Sequence, residues 1–188
     1  DYEVIYVNDG SRDKSAEILE DIALQDSNAK VIHFVRNYGQ TAALTAGIRT
    51  AQAELLVTLD ADLQNDPADI PKMMGMLEEA DVVCGWRKNR QDSFVTRTLP
   101  SKIANWLISR LSNVYLHDYG CTLRIYKRKY IADIPLYGEM HRFIPIYVTW
   151  AGAKIIEVPV THHPRTRGYS KYGLWRIPKV LLDLTTLK

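Results

Sequence analysis

Asp60-Ala61-Asp62 follows directly on an unbroken apolar run over residues 55–59, with Gln64 and Asp66 just beyond. Two carboxylates two residues apart at the end of a strand can both reach one divalent cation, and hard oxygen donors suit Mg²⁺ or Mn²⁺. Mg²⁺ is commonly held by one or two carboxylates together with substrate phosphates, so an acidic pair in a cleft points to a nucleotide ligand rather than a closed protein cage. The same residues also have a plainer reading. Asp is favoured in turns, so Asp60 can cap one while Asp62 faces water. Spacing alone leaves both open.

Other residues offer complementary chemistry. Asn8-Asp9-Gly10-Ser11 ends another apolar run. There Asp9 can accept hydrogen bonds from a base or ribose and Gly10 permits close backbone approach, or the four residues are a plain turn. Arg87, Lys88, Arg90 and Arg97 are cations suited to neutralising a metal-bound pyrophosphate. Asp118 is one of only five acidic residues in the second half. It is a candidate general base or orienting carboxylate, or else a structural partner for Arg124 or Arg142. His162 and His163 are adjacent, so their side chains diverge on a strand and a zinc site is not expected. Arg165, Arg167, Ser170 and Lys171 surround Gly168 in a composition suited to phosphate.

These residues must be positioned by elements that the hydrophobic pattern outlines. Apolar, β-branched runs predict strands over 2–7, 30–35, 55–59 and 82–84. Between them, helical spacing predicts helices over 14–25, with Asp13 as N-cap and Ile18, Leu19, Ile22 and Ala23 as the buried stripe, then over 41–52 and 70–79. Connections this long exclude hairpins and specify parallel strands with crossover helices, an open α/β sheet. Ligands in such sheets sit beyond the carboxyl ends of the strands, where the loops after residues 7, 59 and 85 hold the polar residues. The second half predicts helices over 101–113, 143–151 and 174–187 and strands over 121–126 and 154–160.

Composition sets outer limits. The chain has 188 residues, 46% of them hydrophobic and 24% charged, a profile that excludes disorder and supports one packed core. Two cysteines, Cys84 and Cys121, make neither a disulfide scaffold nor a four-ligand zinc site and point to a reducing compartment. No run of 18 apolar residues exists to span a membrane. The net charge of +2 conceals an asymmetry: nine Lys and Arg against 17 Asp and Glu over residues 1–94, then 15 against five over 95–188. A basic half implies an anionic partner such as phosphate groups, a membrane surface or nucleic acid. Residues 174–187 are apolar on most faces, with Lys171, Arg176 and Lys179 near the start. They read as an interfacial segment or as a core helix with a basic rim.

In order, Val7-Asn8-Asp9-Gly10-Ser11, Arg36-Asn37-Tyr38-Gly39-Gln40, Asp60-Ala61-Asp62-Leu63-Gln64, residues 118–124, His141-Arg142-Phe143 and Gly168-Tyr169-Ser170-Lys171-Tyr172 resemble the family 2 glycosyltransferases of GT-A fold. The likeness is to the branch of dolichyl-phosphate mannose synthase and the bacterial polyprenyl-phosphate glycosyltransferases. The resemblance implies an open, mostly parallel, Rossmann-like sheet with flanking helices, lacking the family's first strand. It places a catalytic domain over 1–170 and a basic amphipathic juxtamembrane segment over 171–188, on the cytoplasmic face of a membrane anchored by helices beyond this chain. It implies Asp9 and Gly10 at the nucleoside, Asp60, Asp62 and Gln64 at an Mg²⁺ or Mn²⁺ ion and the donor diphosphate, and Asp118, Asp62 and Arg87 at the reacting centre. Arg97, Arg142, Arg167, Ser170 and Lys171 are implied at donor or lipid phosphates. The expected reaction is inverting transfer of a hexose, from UDP-glucose first and GDP-mannose next, to a polyprenyl phosphate. A homo-oligomer is compatible with this reading, and no nucleic acid is expected. In place of the common Asp-Asp-Gly-Ser pattern this chain has Asn8, which loads the nucleoside contact onto Asp9.

Three rivals are weighed. A haloacid-dehalogenase-type phosphatase also uses an Asp-x-Asp triplet, but on its first strand and with Thr or Val where Gln64 stands. A nucleic-acid module needs aromatic stacking platforms, whereas the Trp and Tyr residues cluster beside apolar helices. A glycosyltransferase acting on a polysaccharide keeps the chemistry and changes the acceptor.

Overall fold

A computed structural model describes residues 1–88 and 99–164, with the backbone alone over 99–104. The first strand, β1 (Val4–Asn8), pairs in parallel with β2 (Ala29–His33) across α1 (Ser15–Gln25). The helix starts one residue later than expected, so its N-cap is Lys14, without a side-chain cap bond, rather than Asp13, whose carboxylate accepts the Ser15 N–H at 3.0 Å from one residue further out. Ile18 of the predicted stripe is 56% exposed, so the helix lies on the sheet through Leu19, Ile22 and Ala23, which are half-buried.

Next come α2 (Gln40–Thr50), β3 (Leu55–Thr58), α3 (Ile70–Gly75) between two 3₁₀ turns, β4 (Val82–Trp86), α4 (Leu99–Ser112), β5 (Arg124–Lys127), α5 (Ile144–Trp150) and β6 (Ile155–Pro159). The predicted elements all recur within a few residues, except that 174–187 lies outside the described residues. The pairing departs from the expected single sheet at two places, the first being that β1 and β2 form a two-stranded sheet of their own. The second sheet runs β3-β5-β4-β6, and β5 is antiparallel to both β3 and β4. So β3 and β4 point the same way without touching, and β6 joins β4 in parallel.

The two faces of this sheet are covered differently, which explains its near-continuous apolar strands. Leu56, Val82, Cys84 and Tyr126 face Ile48 of α2, Ile108 of α4, and Ile144, Ile146 and Val148 of α5. Val83, Ile125 and Val158 face Met73 of α3 and Leu77. Among the described residues no helix is long and apolar enough to cross a membrane. Cys84 and Cys121 are buried and unpaired by disulfide. Burial pushes their thiols up to about 12 and about 11, so both stay protonated.

Candidate active site

The acidic triplet lies just past the end of β3. Asp60 Oδ1 accepts a hydrogen bond at 2.9 Å from the side-chain amide of Gln40, the first residue of α2. Asp62 Oδ1 accepts the Gln64 N–H at 3.1 Å, closing a turn in which Leu63 takes a left-handed φ of 61°. Left-handed backbone at a non-glycine residue costs about 1–3 kcal/mol and collects at functional sites. Burial first, and the neighbouring Asp62 charge second, raise the Asp60 carboxyl above its ordinary value; Thr122, Gln40 and Arg87 oppose the rise. Two negative groups crowded into a partly desolvated corner are stabilised by a cation. Among the described residues there is no cluster of three His, Cys, Asp or Glu that could enclose a metal. The two carboxylates of Asp60 and Asp62 are a donor set that fits an open site, one that shares Mg²⁺ or Mn²⁺ with substrate oxygens. Gln64, the third predicted ligand, turns its amide nitrogen toward the His163 carbonyl at 3.4 Å and His162 Nε2 at 3.5 Å.

Arg87, just beyond β4, meets Asp118 in a two-point pair: Nε to Oδ2 at 2.7 Å and Nη2 to Oδ1 at 2.8 Å. Both side chains are largely buried, 14% and 4% exposed. The backbone N–H groups of Gly120 and Arg87 also donate to Asp118, at 3.0 and 3.3 Å. A Cβ on Gly120 would stand 2.8 Å from Arg87 Nη2, so a larger residue there would displace the guanidinium. Arg87, which was not among the two expected alternatives, is thus a partner of Asp118. Arg124 is instead fully buried and donates to the carbonyls of Tyr119 (2.6 Å) and His141 (3.3 Å) and to the Tyr126 hydroxyl. Four donors on one carboxylate make Asp118 an orienting group for Arg87, whose charge in turn reaches Asp60.

The end of β1 is a clasp between loops. Asp9 accepts the N–H groups of Tyr38 (2.6 Å) and Gly39 (2.9 Å) and the Asn37 amide (2.8 Å). Gly10, at φ +68°, lies so close to the next loop that a Cβ would meet the Arg36 carbonyl carbon at 2.4 Å. The close approach that Gly10 allows is therefore to the chain's own backbone. A cavity of about 650 Å³ opens beside it, lined by Asp9, Gly10, Ser11, Arg12 and Asn37. Asn8 is buried; its side-chain Oδ1 accepts the Ser11 N–H and its side-chain NH₂ donates to His33 Nδ1, both at 3.0 Å. His33 Nε2 then donates to Glu20 at 2.8 Å. Asn8 thus belongs to a structural relay rather than to the cavity lining.

Arg142 is half-buried in the 3₁₀ turn Met140–Arg142, which packs against α2. Thr41 fixes that turn: its hydroxyl donates to the Gly138 carbonyl at 2.7 Å and so accepts from His141 Nδ1 at 2.8 Å. Arg90, Arg97, Arg167, Ser170 and Lys171 lie outside the described residues. Sequence reasoning missed Gln40, Thr122 and Glu157. Gln40 and Thr122 stand in quoted motifs and carried a signal; Glu157 gave none, because its partners are remote in sequence.

The model of the family described as "Glycosyl transferase family 2" matches residues 1–134. The chain is 47% identical over 191 residues to a protein of Rhizobium johnstonii named dodecaprenyl-phosphate galacturonate synthase, covering 99% of this chain and 56% of that one. It is 42% identical over 187 residues to the undecaprenyl-phosphate 4-deoxy-4-formamido-L-arabinose transferase of Aeromonas hydrophila, covering 98% and 57%. The chain thus spans just over half the length of these relatives. Among solved structures it is similar to glucosyl-3-phosphoglycerate synthase from Mycobacterium tuberculosis in complex with Mn²⁺ and UDP-glucose, with TM-score 0.69, 19% identity and coverage of 98% and 68%. It is also similar to a mannosyltransferase from Pyrobaculum calidifontis in complex with GDP-Man and Mn²⁺, with TM-score 0.64, 17% identity and coverage of 98% and 54%. Those likenesses carry the GT-A fold.

Proposed function

The chain belongs to glycosyl transferase family 2, and on that footing we propose that it carries the catalytic machinery for moving a hexose from a nucleotide-sugar to a polyprenyl phosphate at a membrane surface. The observation that carries the reading is the placing of Asp60, held by Gln40, and Asp62, which closes the turn on Gln64, just past the end of β3. The lipid acceptor is supported by the two relatives above, whose names contain dodecaprenyl and undecaprenyl phosphate.

Asp60 and Asp62, with Gln64 beside them, would hold Mg²⁺ or Mn²⁺. When bound, the ion offsets charge on the departing nucleoside diphosphate. Arg87, locked by Asp118, adds a fixed cation at the same edge, stabilisation that needs no reorganisation at the moment of reaction. The cavity beside Asp9 and Arg12 is the place for the nucleoside. A phosphate monoester is already anionic near neutral pH, so the acceptor oxygen can attack C1 without a strong base. Attack from the face opposite the diphosphate inverts the anomeric carbon. Asp118, its oxygens engaged by Arg87 and two backbone N–H groups, orients rather than abstracts.

The test is a donor screen on the full-length membrane protein. UDP-sugars, with UDP-glucose first, and GDP-mannose are offered with polyprenyl phosphate and Mn²⁺ or Mg²⁺. Sugar-linked polyprenyl phosphate is the expected product. Transfer only to a polysaccharide, or orthophosphate release from simple monoesters, would replace this reading.

A further inference from the structure

We propose that Glu157, which appears in none of the motifs above, is a positioning residue for the Asp118–Arg87 pair, an inference that rests on the transferase reading. Glu157 lies on β6, opposite Cys84 of β4, and its side chain is 10% exposed. Its Oε2 accepts the His117 backbone N–H at 2.8 Å and the His117 ring Nδ1 at 2.9 Å. Its Oε1 accepts the Asp118 N–H at 3.1 Å. Three donors converge on this carboxylate, each of its oxygens facing N–H. Only a group with two acceptor oxygens satisfies that arrangement, since glutamine would turn an NH₂ donor against an N–H donor.

The consequence runs along a chain of contacts. Glu157 fixes the backbone at Asp118, and Asp118 fixes the guanidinium of Arg87 at two points. Two neighbouring carboxylates tolerate each other because each has its own donors: backbone and imidazole N–H for Glu157, guanidinium and backbone N–H for Asp118. The same turn is braced from α4, where the Asn105 amide donates to the His117 carbonyl at 2.6 Å. The ring of Trp86 on β4 covers the His117 ring, stacked at 4.4 Å and 19°. Glu157 reaches no reacting atom; it acts through Asp118.

The experiment measures sugar transfer by the full-length protein. Glu157→Gln should lower kcat about 10- to 100-fold, the scale expected of a misplaced catalytic group, with donor KM changed less than about threefold. In an Arg87→Lys background, which has no two-point fork to misalign, the further loss from Glu157→Gln should shrink to below about threefold. His117→Ala deletes the ring contact but keeps both backbone bonds, and should leave kcat within about threefold of the wild-type value. Wild-type kcat in Glu157→Gln, or losses that multiply fully in the double variant, would overturn the proposal. If Glu157→Gln fails to fold, Glu157→Asp replaces it. One methylene shorter, it should give a smaller kcat loss that is again non-additive with Arg87→Lys, and full activity would count against the role. Should the wild type transfer no sugar, the functional reading fails, and the positioning claim is read from the Arg87 Nε–H resonance. That signal, assigned by its loss in Arg87→Lys, should move in Glu157→Gln and stay in His117→Ala; an unmoved signal in Glu157→Gln overturns it.

Discussion

Asp60 and Asp118 are both carboxylates at the candidate site, and their surroundings differ. Asp60 sits beside Asp62 in a partly desolvated corner that raises its pKa, a setting that a cation stabilises. Asp118 is saturated by Arg87 and two N–H groups, a setting that needs no further ligand. Asp62→Asn should therefore cut transfer at least about 100-fold, with Mn²⁺ binding weakened in parallel, because it removes charge where the cation must sit. Asp118→Asn leaves a buried guanidinium incompletely paired and should cost about 3–5 kcal/mol of stability, read as a lowered denaturation midpoint. Its activity should fall across the whole pH range; disappearance of the acidic limb of a bell-shaped profile, with donor binding intact, would instead restore Asp118 as the base. The Asp-x-Asp pair was legible in the sequence because its two members are near neighbours on one strand end. The partner of Asp118 was not: Arg87 lies 31 residues earlier and Glu157 39 residues later, and nothing local distinguishes Arg87 from Arg124 or Arg142 as the guanidinium that arrives.

At the scale of elements, the strands and helices were readable because apolar periodicity is local, while the partners of β5 were not. Four residues of strand can pair with any free edge, and β5 found β3 and β4, 64 residues back at the Thr58–Thr122 bond that adjoins its start. That insertion brings Thr122 beside Asp60. Loops, too, are joined by contacts no periodicity reveals. Gly10→Ala should destabilise the protein by more than the about 1–3 kcal/mol of a strained φ, since its Cβ would also overlap the Arg36 backbone; chemical denaturation checks this. At the opposite end of β1, Glu3 accepts the N–H groups of Gln52 and Ala53 and pairs with Lys30 at 2.8 Å. These contacts, Lys30 first, lower its carboxyl from 4.5 to about 2. A depressed folded-state pKa stabilises above the unfolded value and loses that stabilisation as pH falls toward the folded one. Glu3→Gln should thus cost about 1 kcal/mol at neutral pH, modest because water reaches the site. The gap from wild type should close between pH 4.5 and 2; a gap independent of pH would contradict the assignment.

The molecule as a whole divides its charge along the chain, acidic in the first half and basic in the second. At the sheet edge the first half supplies Asp60, Asp62 and the guanidinium of Arg87, and the second half supplies Asp118, which orients that guanidinium. An edge that combines a cation-demanding carboxylate pair with a locked guanidinium is suited to a diphosphate leaving group, which needs positive charge on more than one side. The most direct measurement follows labelled sugar from a nucleotide-sugar into polyprenyl phosphate, using the full-length protein with and without divalent cation. The account predicts an inverted glycolipid whose formation stops with chelator, returns with Mn²⁺ or Mg²⁺, and is lost in Asp62→Asn. Undiminished transfer in the presence of chelator and in Asp62→Asn would contradict it.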